Sequence, residues 1–268
     1  MTFTMPYYFF RNLRSLRSLS GFLFTALFST LFTLSAFNIN ALCAAEAQAK
    51  YAANLPPSAK LDYSIRASIK SLILEGSSFI NWEKNGDKYK LLSETRTALT
   101  GTLLTEKSEG TQNRAGLSPE IFFSKRFRKD GLTTQFDQKT HQLIFTGNAA
   151  PLPLHGGEQD RLSVIWQLLS VGRAAPEKFI PGARFTFFVA GTHDAEPWIF
   201  EIKQTQRLRT GLGEIDAMQI IRIPEQNANA TRMEIWLAPT LEWFPIRLRI
   251  SENNGDYIEQ SLENLEQK

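Results

Sequence analysis

One short run in this sequence, HGGEQD at residues 155–160, is the only cluster that resembles a metal site or an acid–base constellation. Its histidine and two carboxylates, His155, Glu158 and Asp160, are residue types that bind metal ions or transfer protons. Their spacing matches no zinc or calcium loop, so we predict no metal site here. We interpret them as loop and helix-cap residues. The alternative is an envelope hydrolase that uses His155, Glu158 or Asp160.

Motifs for covalent and phosphate chemistry are missing elsewhere in the sequence. There is no nucleophile-elbow serine, and TGLG at residues 210–213 is a two-glycine hairpin turn rather than a phosphate-binding loop. Cys43 is the only cysteine and lies near the N-terminus. The rest of the chain therefore has no thiol for catalysis, for a disulfide or for a metal. We predict a non-enzymatic protein without a cofactor.

Binding is the kind of function that the remaining composition indicates. Outside the first fifty residues the chain keeps twelve phenylalanines and five tryptophans. Trp166, Trp198 and Trp236, together with Leu162 and Leu169, are candidates for lining a cavity that holds a lipid, an acyl chain or another apolar ligand. Core packing is the alternative for each of them, since aromatic side chains dominate ordinary cores.

The N-terminal segment has the three parts of a secretory signal. Residues 1–20 carry three arginines and no acidic residue, residues 21–37 are uncharged, and mostly small residues follow at 41–49. We predict cleavage after Ala47, which places the protein in the periplasm or cell envelope. One alternative is an uncleaved inner-membrane anchor at residues 21–37, which just reach the length of a membrane span. Another is lipid attachment at Cys43, although Leu42 is larger than the residue that normally precedes a lipidated cysteine.

The charge balance argues against a nucleic-acid partner. The whole chain has 30 basic and 27 acidic residues, and residues 1–47 contain three arginines and one glutamate. The exported part therefore keeps 27 basic and 26 acidic side chains and is almost neutral. A neutral domain has no electrostatic footprint for nucleic acid or an anionic membrane. We predict membrane contact only through an uncleaved leader.

The remainder of the sequence has the two-residue period of β-strands. In KLDYSIRASIK, residues 60–70, apolar and polar side chains alternate over eleven positions, which is typical of a half-buried antiparallel strand. Turn signals such as NGD at residues 85–87 separate similar runs. About ten to twelve such strands predict a mainly β protein, built as a single curved antiparallel sheet or an open or closed barrel. The polar run TLLTEKSEGTQN at 102–113 suits an exposed edge strand.

One amphipathic helix interrupts this pattern near residues 160–172. Apolar side chains recur at helical spacing from Leu162 to Val171, with Asp160 as the predicted N-cap and Gly172 as the predicted C-cap. We predict that the helix packs on the sheet and closes its apolar interior. The predicted division of the chain is a signal peptide (1–47), a short linker (48–59) and a single antiparallel β domain (60–268).

Four segments, taken in order, resemble one family of bacterial exported proteins. They are LSVIWQLLSVG at 162–172, DAEPWIFEI at 194–202, EIWLAPTLEWFPIRLRI at 234–250 and NNGDYIEQSL at 253–262. They resemble the proteins grouped as domain of unknown function 3108 (DUF3108), from about residue 57 to the C-terminus. The most specific element is Trp236-Leu237, a loop, and Pro245-Ile246-Arg247. The resemblance implies an envelope location and mostly antiparallel β structure, but no reaction and no catalytic residue.

Two functions of different classes remain. The favoured hypothesis is a non-enzymatic envelope protein that binds a lipid, an acyl chain or another hydrophobic ligand inside its curved sheet. The alternative is an envelope scaffold without a cavity, which binds protein partners through exposed strand edges.

Overall fold

The computed structural model describes residues 51–98, 100–147, 149–223 and 231–268, and the predicted leader lies outside them. The described residues form one α-helix, α1 (Ser163–Ala174), two short 3-10 turns (Pro176–Lys178 and Pro239–Leu241) and fifteen strands. The strands are β1 (Ala59–Ile69), β2 (Leu72–Asn85), β3 (Lys88–Thr97), β4 (Gly101–Asn113), β5 (Gly116–Arg126), β6 (Leu132–Asp137), β7 (Gln142–Phe145), β8 (Leu152–Pro153), β9 (Gln159–Asp160), β10 (Arg184–Ala190), β11 (Ala195–Thr210), β12 (Gly213–Ile223), β13 (Arg232–Leu237), β14 (Pro245–Ser251) and β15 (Tyr257–Gln267).

All fifteen strands belong to one sheet, in the order 8-7-6-5-4-3-2-1-15-14-13-12-11-10-9. The chain starts in the middle at β1, builds one arm of the sheet out to β8, crosses to the far edge at β9 and builds the other arm back to β15. Neighbouring strands are antiparallel except β9 and β10, which are parallel. The predicted fold class, a mainly β protein with one curved sheet and one helix, is confirmed.

The two edges of this sheet lie close together. Only residues 154–158 separate β8 on one edge from β9 on the other, and six Cα–Cα steps span at most about 20 Å. A flat sheet of fifteen strands at about 4.8 Å spacing would be about 67 Å wide. The sheet must therefore curl until its two arms face each other. It stays open, because β8 and β9 do not pair.

The alternation that predicted the strands is the pattern of burial in the structure. In β1, Leu61 and Tyr63 are buried while Ser64 and Arg66 are exposed, because successive side chains point to opposite faces of the sheet. The predicted turn at residues 85–87 joins β2 to β3, and its glycine, Gly86, has a φ of +60°. That left-handed conformation is the reason for glycine in a two-residue hairpin turn.

Two predictions about the strands need correction. Fifteen strands are present rather than ten to twelve, and the additional ones include β8 and β9, whose two residues each are too few to show a period. The polar run at residues 102–113 is not an edge strand, because β4 lies between β3 and β5. Its polarity serves contacts inside the sheet instead. Glu106 accepts a hydrogen bond from Ser124 of β5, and Ser108 donates one to Asp160.

Helix α1 lies inside the curled sheet and is buried on all sides from residue 163 to 172, as expected for a helix surrounded by other elements. The predicted C-cap is wrong, since the helix continues through Gly172 to Ala174. At Gly172 the ring of Trp243 comes so close that a Cβ atom would lie 2.6 Å from it. Glycine at this position permits close packing and does not end the helix.

Candidate functional site

The five residues predicted to line a cavity are all buried in the core. Trp166 and Leu169 are completely enclosed, and Leu162, Trp198 and Trp236 are 5–6% exposed. All five belong to one cluster of packed apolar side chains. None of them lines either of the two recesses that are described below. Their role in ligand binding stays a prediction.

The indole N–H groups of the three candidate tryptophans have different surroundings. Trp198 Nε1 donates to Glu196 at 2.9 Å, and Trp236 Nε1 donates to Gln206 at 2.9 Å. Trp166 Nε1 is buried without a hydrogen-bond partner among the described residues. The three side chains therefore do not present their polar atoms to a common ligand position.

Asp160 lies just before α1 with a fully buried carboxylate. Its Oδ1 accepts the main-chain N–H groups of Leu162 and Ser163, both at 2.8 Å. Asp160 therefore caps the first turn, although the N-cap residue itself is Leu162. Its Oδ2 accepts the hydroxyl of Ser108 at 2.5 Å, and that hydroxyl also bonds the hydroxyl of Tyr89 at 2.9 Å. This cluster ties the start of α1 to β3 and β4.

Burial raises the pKa of the Asp160 carboxyl from 3.8 to about 6, because a buried carboxylate loses its hydration. Hydrogen bonds from Ser108, Ser163 and Leu162 lower the pKa but only partly offset this effect. A raised carboxyl pKa is also a property of catalytic acids. Asp160, however, is 0% exposed and both its oxygens are hydrogen-bonded. Its contacts are those of a structural residue.

The rest of the HGGEQD run organises a loop. Glu158 is buried, and its carboxylate accepts the main-chain N–H groups of His155 at 2.6 Å and Gly156 at 2.8 Å. Gly156 and Gly157 have φ angles of +101° and +82°, which favour glycine. In the part of the chain that the structure describes, no group of three His, Cys, Asp or Glu side chains could hold a metal ion. The carboxylates of Glu158 and Asp160 thus both bind main-chain N–H groups.

A recess of about 160 Å³ lies where the two arms of the sheet face each other, and we call it the seam recess. One bank is the start of β5 and the other is the middle of β10, with α1 and the loop before β9 beneath them. Aromatic rings, glycines and uncharged polar side chains line it: Tyr51, Asn113, Ala115, Leu117, Ser118, Gly156, Gly157, Gln159, Gln167, Thr186, Phe187 and Phe188.

Two glutamine side chains take the place of a neighbouring strand along the β5 bank. Gln167 Oε1 accepts the N–H of Leu117, and its Nε2 donates to the carbonyl oxygen of Ala115, both at 2.8 Å. Gln159 Nε2 donates to the carbonyl oxygen of Leu117 at 2.8 Å. β6 pairs with β5 only at residues 121–124. The two amides therefore satisfy main-chain groups that no strand reaches.

Gly116 permits this arrangement for two reasons. Its φ is +104°, and a Cβ atom here would lie 2.0 Å from Gln167 Oε1. The first condition favours glycine, and the second means that any side chain here would displace the Gln167 amide from its hydrogen bonds. The seam therefore depends on a glycine at this position.

The opposite bank is an unpaired edge of β10. β9 pairs with β10 only at Val189 and Ala190, so within the described ranges no strand pairs with this edge over residues 184–188. Thr186 donates its N–H across the edge to the hydroxyl of Tyr51 at 3.3 Å. Phe188 is 36% exposed at the rim.

Gln159, one of the residues that line the seam recess, has an unused acceptor. Its side chain is almost fully buried, and its amide nitrogen must face the carbonyl oxygen of Leu117, which fixes the orientation of the amide. The amide oxygen is left buried without a partner among the described residues. An unsatisfied buried acceptor costs about 1–3 kcal/mol. A ligand that donates a hydrogen bond here would recover part of that cost.

A second recess of about 400 Å³, the outer recess, lies across β1, β2, β3 and β15. Each of these strands is paired on both sides, so this recess has no open strand edge. It contains one unpartnered buried hydroxyl, Ser78 Oγ. Its carboxylates are each bonded to a neighbouring side chain already: Asp62 to Lys60, Glu94 to Arg96 and Glu263 to Ser64. The seam recess therefore offers a ligand more unsatisfied groups.

The seam recess has no clear signal in the sequence. One signal was present, because Gln167 interrupts the apolar stripe of α1, and a buried polar side chain must find hydrogen-bond partners. The partners themselves, Leu117 and Ala115, lie about fifty positions earlier. No period or motif connects them to the helix.

Comparisons with other proteins identify a family but no function. A family model described as a protein of unknown function (DUF3108) matches residues 62–263, and no curated protein matches the sequence. In the described residues no helix is both long and apolar enough to span a membrane.

Three solved structures are similar to the chain at low identity. One is described as an exported protein with a YmcC-like fold from Bacteroides fragilis, with 8% identity, 81% of this chain and 99% of that chain covered, and a TM-score of 0.38. The second is a DUF1329 family protein from Desulfovibrio piger, with 9% identity, 80% and 86% covered, and a TM-score of 0.31. The third is described as an outer membrane lipoprotein-sorting protein domain from Vibrio parahaemolyticus, with 7% identity, 79% and 86% covered, and a TM-score of 0.26. At such identities and TM-scores these likenesses carry no argument about function.

Proposed function

The chain belongs to the DUF3108 family of proteins of unknown function, and on that premise we propose that it is a non-enzymatic binding protein of the cell envelope. Its ligand carries an apolar group and binds in the seam recess. The observation that carries this proposal is the combination of an aromatic-lined recess, an unpaired strand edge and an unpartnered buried acceptor at one place.

Binding is favoured over catalysis by the contacts of the groups that could do chemistry. Glu158 and Asp160 both bond main-chain N–H groups and are buried. The seam recess is lined by no carboxylate, histidine, lysine or cysteine, so apart from the Tyr51 hydroxyl its side chains supply no general acid or base to a bound molecule. Apolar walls with a few fixed polar atoms are typical of a ligand site.

The envelope location is supported by the leader pattern of residues 1–47, with its basic, apolar and small-residue parts. An exported domain without cysteine must be held together by its core. The described core, with α1 enclosed by the two arms of the sheet, meets that requirement.

The hydrophobic ligand that the aromatic composition predicts fits the seam recess better than the interior. Trp166, Leu168 and Leu169 of α1 are completely enclosed by other core side chains. In the seam recess, by contrast, Ala115, Gly156 and Gly157 leave space beside the rings of Phe187 and Phe188. A lipid, an acyl chain or an apolar side chain can bury part of its surface there.

The test is native mass spectrometry of protein purified from the envelope, with Ala115→Phe to fill the recess and Ala98→Phe, at an exposed turn, as the matched control. We expect a ligand-bound species in the wild type and in the control, and its loss in Ala115→Phe. An identical mass spectrum for all three proteins, with no bound species, would contradict the proposal.

A second candidate function is an envelope scaffold that binds protein partners through strand edges. The observation that favours it is the unpaired edge of β10 at residues 184–188. β4, which the sequence suggested for this role, is inside the sheet and has no free edge.

A further inference from the structure

The edge of β10 at the seam has the geometry of an acceptor for another strand. In an antiparallel pair, the main-chain groups of alternate residues point to opposite edges of the strand. Thr186 donates its N–H away from β11, to Tyr51. Phe188, two residues later, therefore also points its N–H toward the seam. An extended peptide along this edge can pair with Phe188 directly, and with Thr186 once it displaces the Tyr51 hydroxyl.

The fold covers the β5 edge of the seam with two glutamine amides, whereas the β10 edge is covered only by the Tyr51 hydroxyl at Thr186. Unpaired edges promote aggregation, and proteins blunt them with very short edge strands. The two edge strands of this sheet, β8 and β9, have two residues each. The five residues of β10 that extend beyond β9 are left without a neighbouring strand within the described ranges. That contrast indicates a use for the exposed edge.

The size of the seam recess indicates what enters it. Its volume of about 160 Å³ is about half of the roughly 300 Å³ at which small-molecule pockets begin. It can hold one side chain rather than a whole lipid. In a strand paired with β10, every second side chain would face the seam recess, and the side chains between them would point away from it, since successive side chains alternate.

The unpartnered oxygen of Gln159 supplies a polar anchor for the same ligand. Leu117 and Ala115 on the β5 bank are already satisfied by the two glutamine amides. Gln159 Oε1 is the buried side-chain acceptor without a partner among the described residues that line the recess. A peptide offers an N–H donor at nearly every residue, whereas an acyl chain offers none along its length.

We infer that the seam recess binds an extended segment of a partner protein. The segment adds a strand along residues 186–188, inserts one apolar side chain into the recess and donates a hydrogen bond to Gln159. This inference rests on the proposed function, because it names the ligand class of the same recess. Main-chain pairing supplies affinity, and the recess supplies selection for the inserted side chain.

The test is selection from a random peptide library displayed on phage, with the exported protein as the target. The enriched peptides are synthesised and titrated by isothermal calorimetry against the wild type and two variants. Phe188→Asp places a charge at the rim of the recess, at a position that is 36% exposed. Phe127→Asp is the matched control, at a phenylalanine that is 40% exposed and outside the seam recess.

We expect enriched peptides with alternating apolar residues. Phe188→Asp should weaken their binding at least about tenfold, which is about 1.4 kcal/mol, and Phe127→Asp should leave it unchanged. Methylation of the peptide nitrogen that pairs with β10 should abolish binding, which a purely hydrophobic contact would not do. Thermal unfolding verifies that both variants fold, and Phe188→Ser replaces Phe188→Asp if the latter does not.

Other outcomes overturn the inference and separate it from the proposed function. Strand addition is contradicted if no peptide is enriched on the wild type relative to the Phe188→Asp protein. It is also contradicted if the enriched peptides bind Phe188→Asp and Phe127→Asp equally. If palmitate binds with the same dependence on Phe188 while no peptide does, the ligand is an acyl chain and the proposed function stands. If neither palmitate nor any peptide distinguishes wild type from Ala115→Phe, both proposals fail.

Discussion

Replacing Asp160 by asparagine should remove a defined part of the pH dependence of stability. The pKa of this carboxyl is about 6 in the folded protein and 3.8 in the unfolded chain. Between these values the folded state keeps a proton that the unfolded state has released. The free energy of unfolding therefore falls as the pH rises through this window, and stays lowered above pH 6. Asparagine is uncharged throughout and has no such contribution.

The size of the effect follows from the two pKa values. A difference of about two units corresponds to about 3 kcal/mol at neutral pH. About 2 kcal/mol of this develops between pH 4.5 and pH 7, because the unfolded carboxyl is already partly ionised at pH 4.5. The amide oxygen of the introduced asparagine would still accept the N–H groups of Leu162 and Ser163, which Asp160 binds now. The helix cap should therefore survive the substitution.

The assay is urea unfolding, followed by tryptophan fluorescence at several pH values between 4.5 and 7.5. The difference between wild type and Asp160→Asn cancels the groups that do not interact with Asp160, such as Glu83. Glu106 does not cancel completely, because its pKa is raised by burial and also by the charge of Asp160. Asp137→Asn is the control, because hydrogen bonds from Lys139 and Thr140 lower the pKa of that exposed carboxyl. The contribution of Asp137 to the free energy of unfolding is lost only as the pH falls below the ordinary pKa of an aspartate. Parallel curves for wild type and Asp160→Asn would falsify the structural role assigned to this buried carboxyl.

Three further substitutions test the seam and the interior. Gly116→Ala should lower the free energy of unfolding by about 2–3 kcal/mol, because the added Cβ atom would meet Gln167. The control is Gly86→Ala, where the added Cβ atom has open space around it, and it should lower the free energy of unfolding by about 1 kcal/mol. Equal losses for the two variants in urea unfolding would contradict the close contact at Gly116. Gln167→Leu should cost about 2–4 kcal/mol, since it leaves two main-chain groups unpaired, and faster amide exchange at Leu117 should accompany the loss. Trp166→Ala should cost about 3–5 kcal/mol because the ring is completely enclosed, and a loss under about 1 kcal/mol would show that the interior is not packed as described.

The sequence predicts the parts of this fold that leave a local pattern. The alternation at residues 60–70 and the turn at 85–87 become β1 and the β2–β3 hairpin. The apolar spacing of residues 162–171 becomes α1. β8 and β9 are missed, because two-residue strands exist only through their neighbours. The end of α1 is also predicted wrongly, because the role of Gly172 depends on a residue far away in the sequence. Gly172 makes room for the ring of Trp243 and does not end the helix.

The candidate site is harder to predict because its parts are far apart in the sequence. The HGGEQD run suggests chemistry from its residue types, but Glu158 and Asp160 bond main-chain N–H groups nearby. The seam recess joins Tyr51, the start of β5, the helix and β10. Those elements meet only because the sheet curls and brings its two arms together. Neither the curl nor the meeting point has a local sequence signal.

The most direct test of the central claim is hydrogen–deuterium exchange of the protein with and without a bound ligand, either co-purified or selected from the peptide library. If the seam recess is the binding site, exchange should slow at residues 113–118 and 184–188, and Phe188 should be protected most. Residues 62–64 and 77–79 of the outer recess should be unchanged. Protection confined to the outer recess, or protection that is absent from both banks of the seam, would contradict the account.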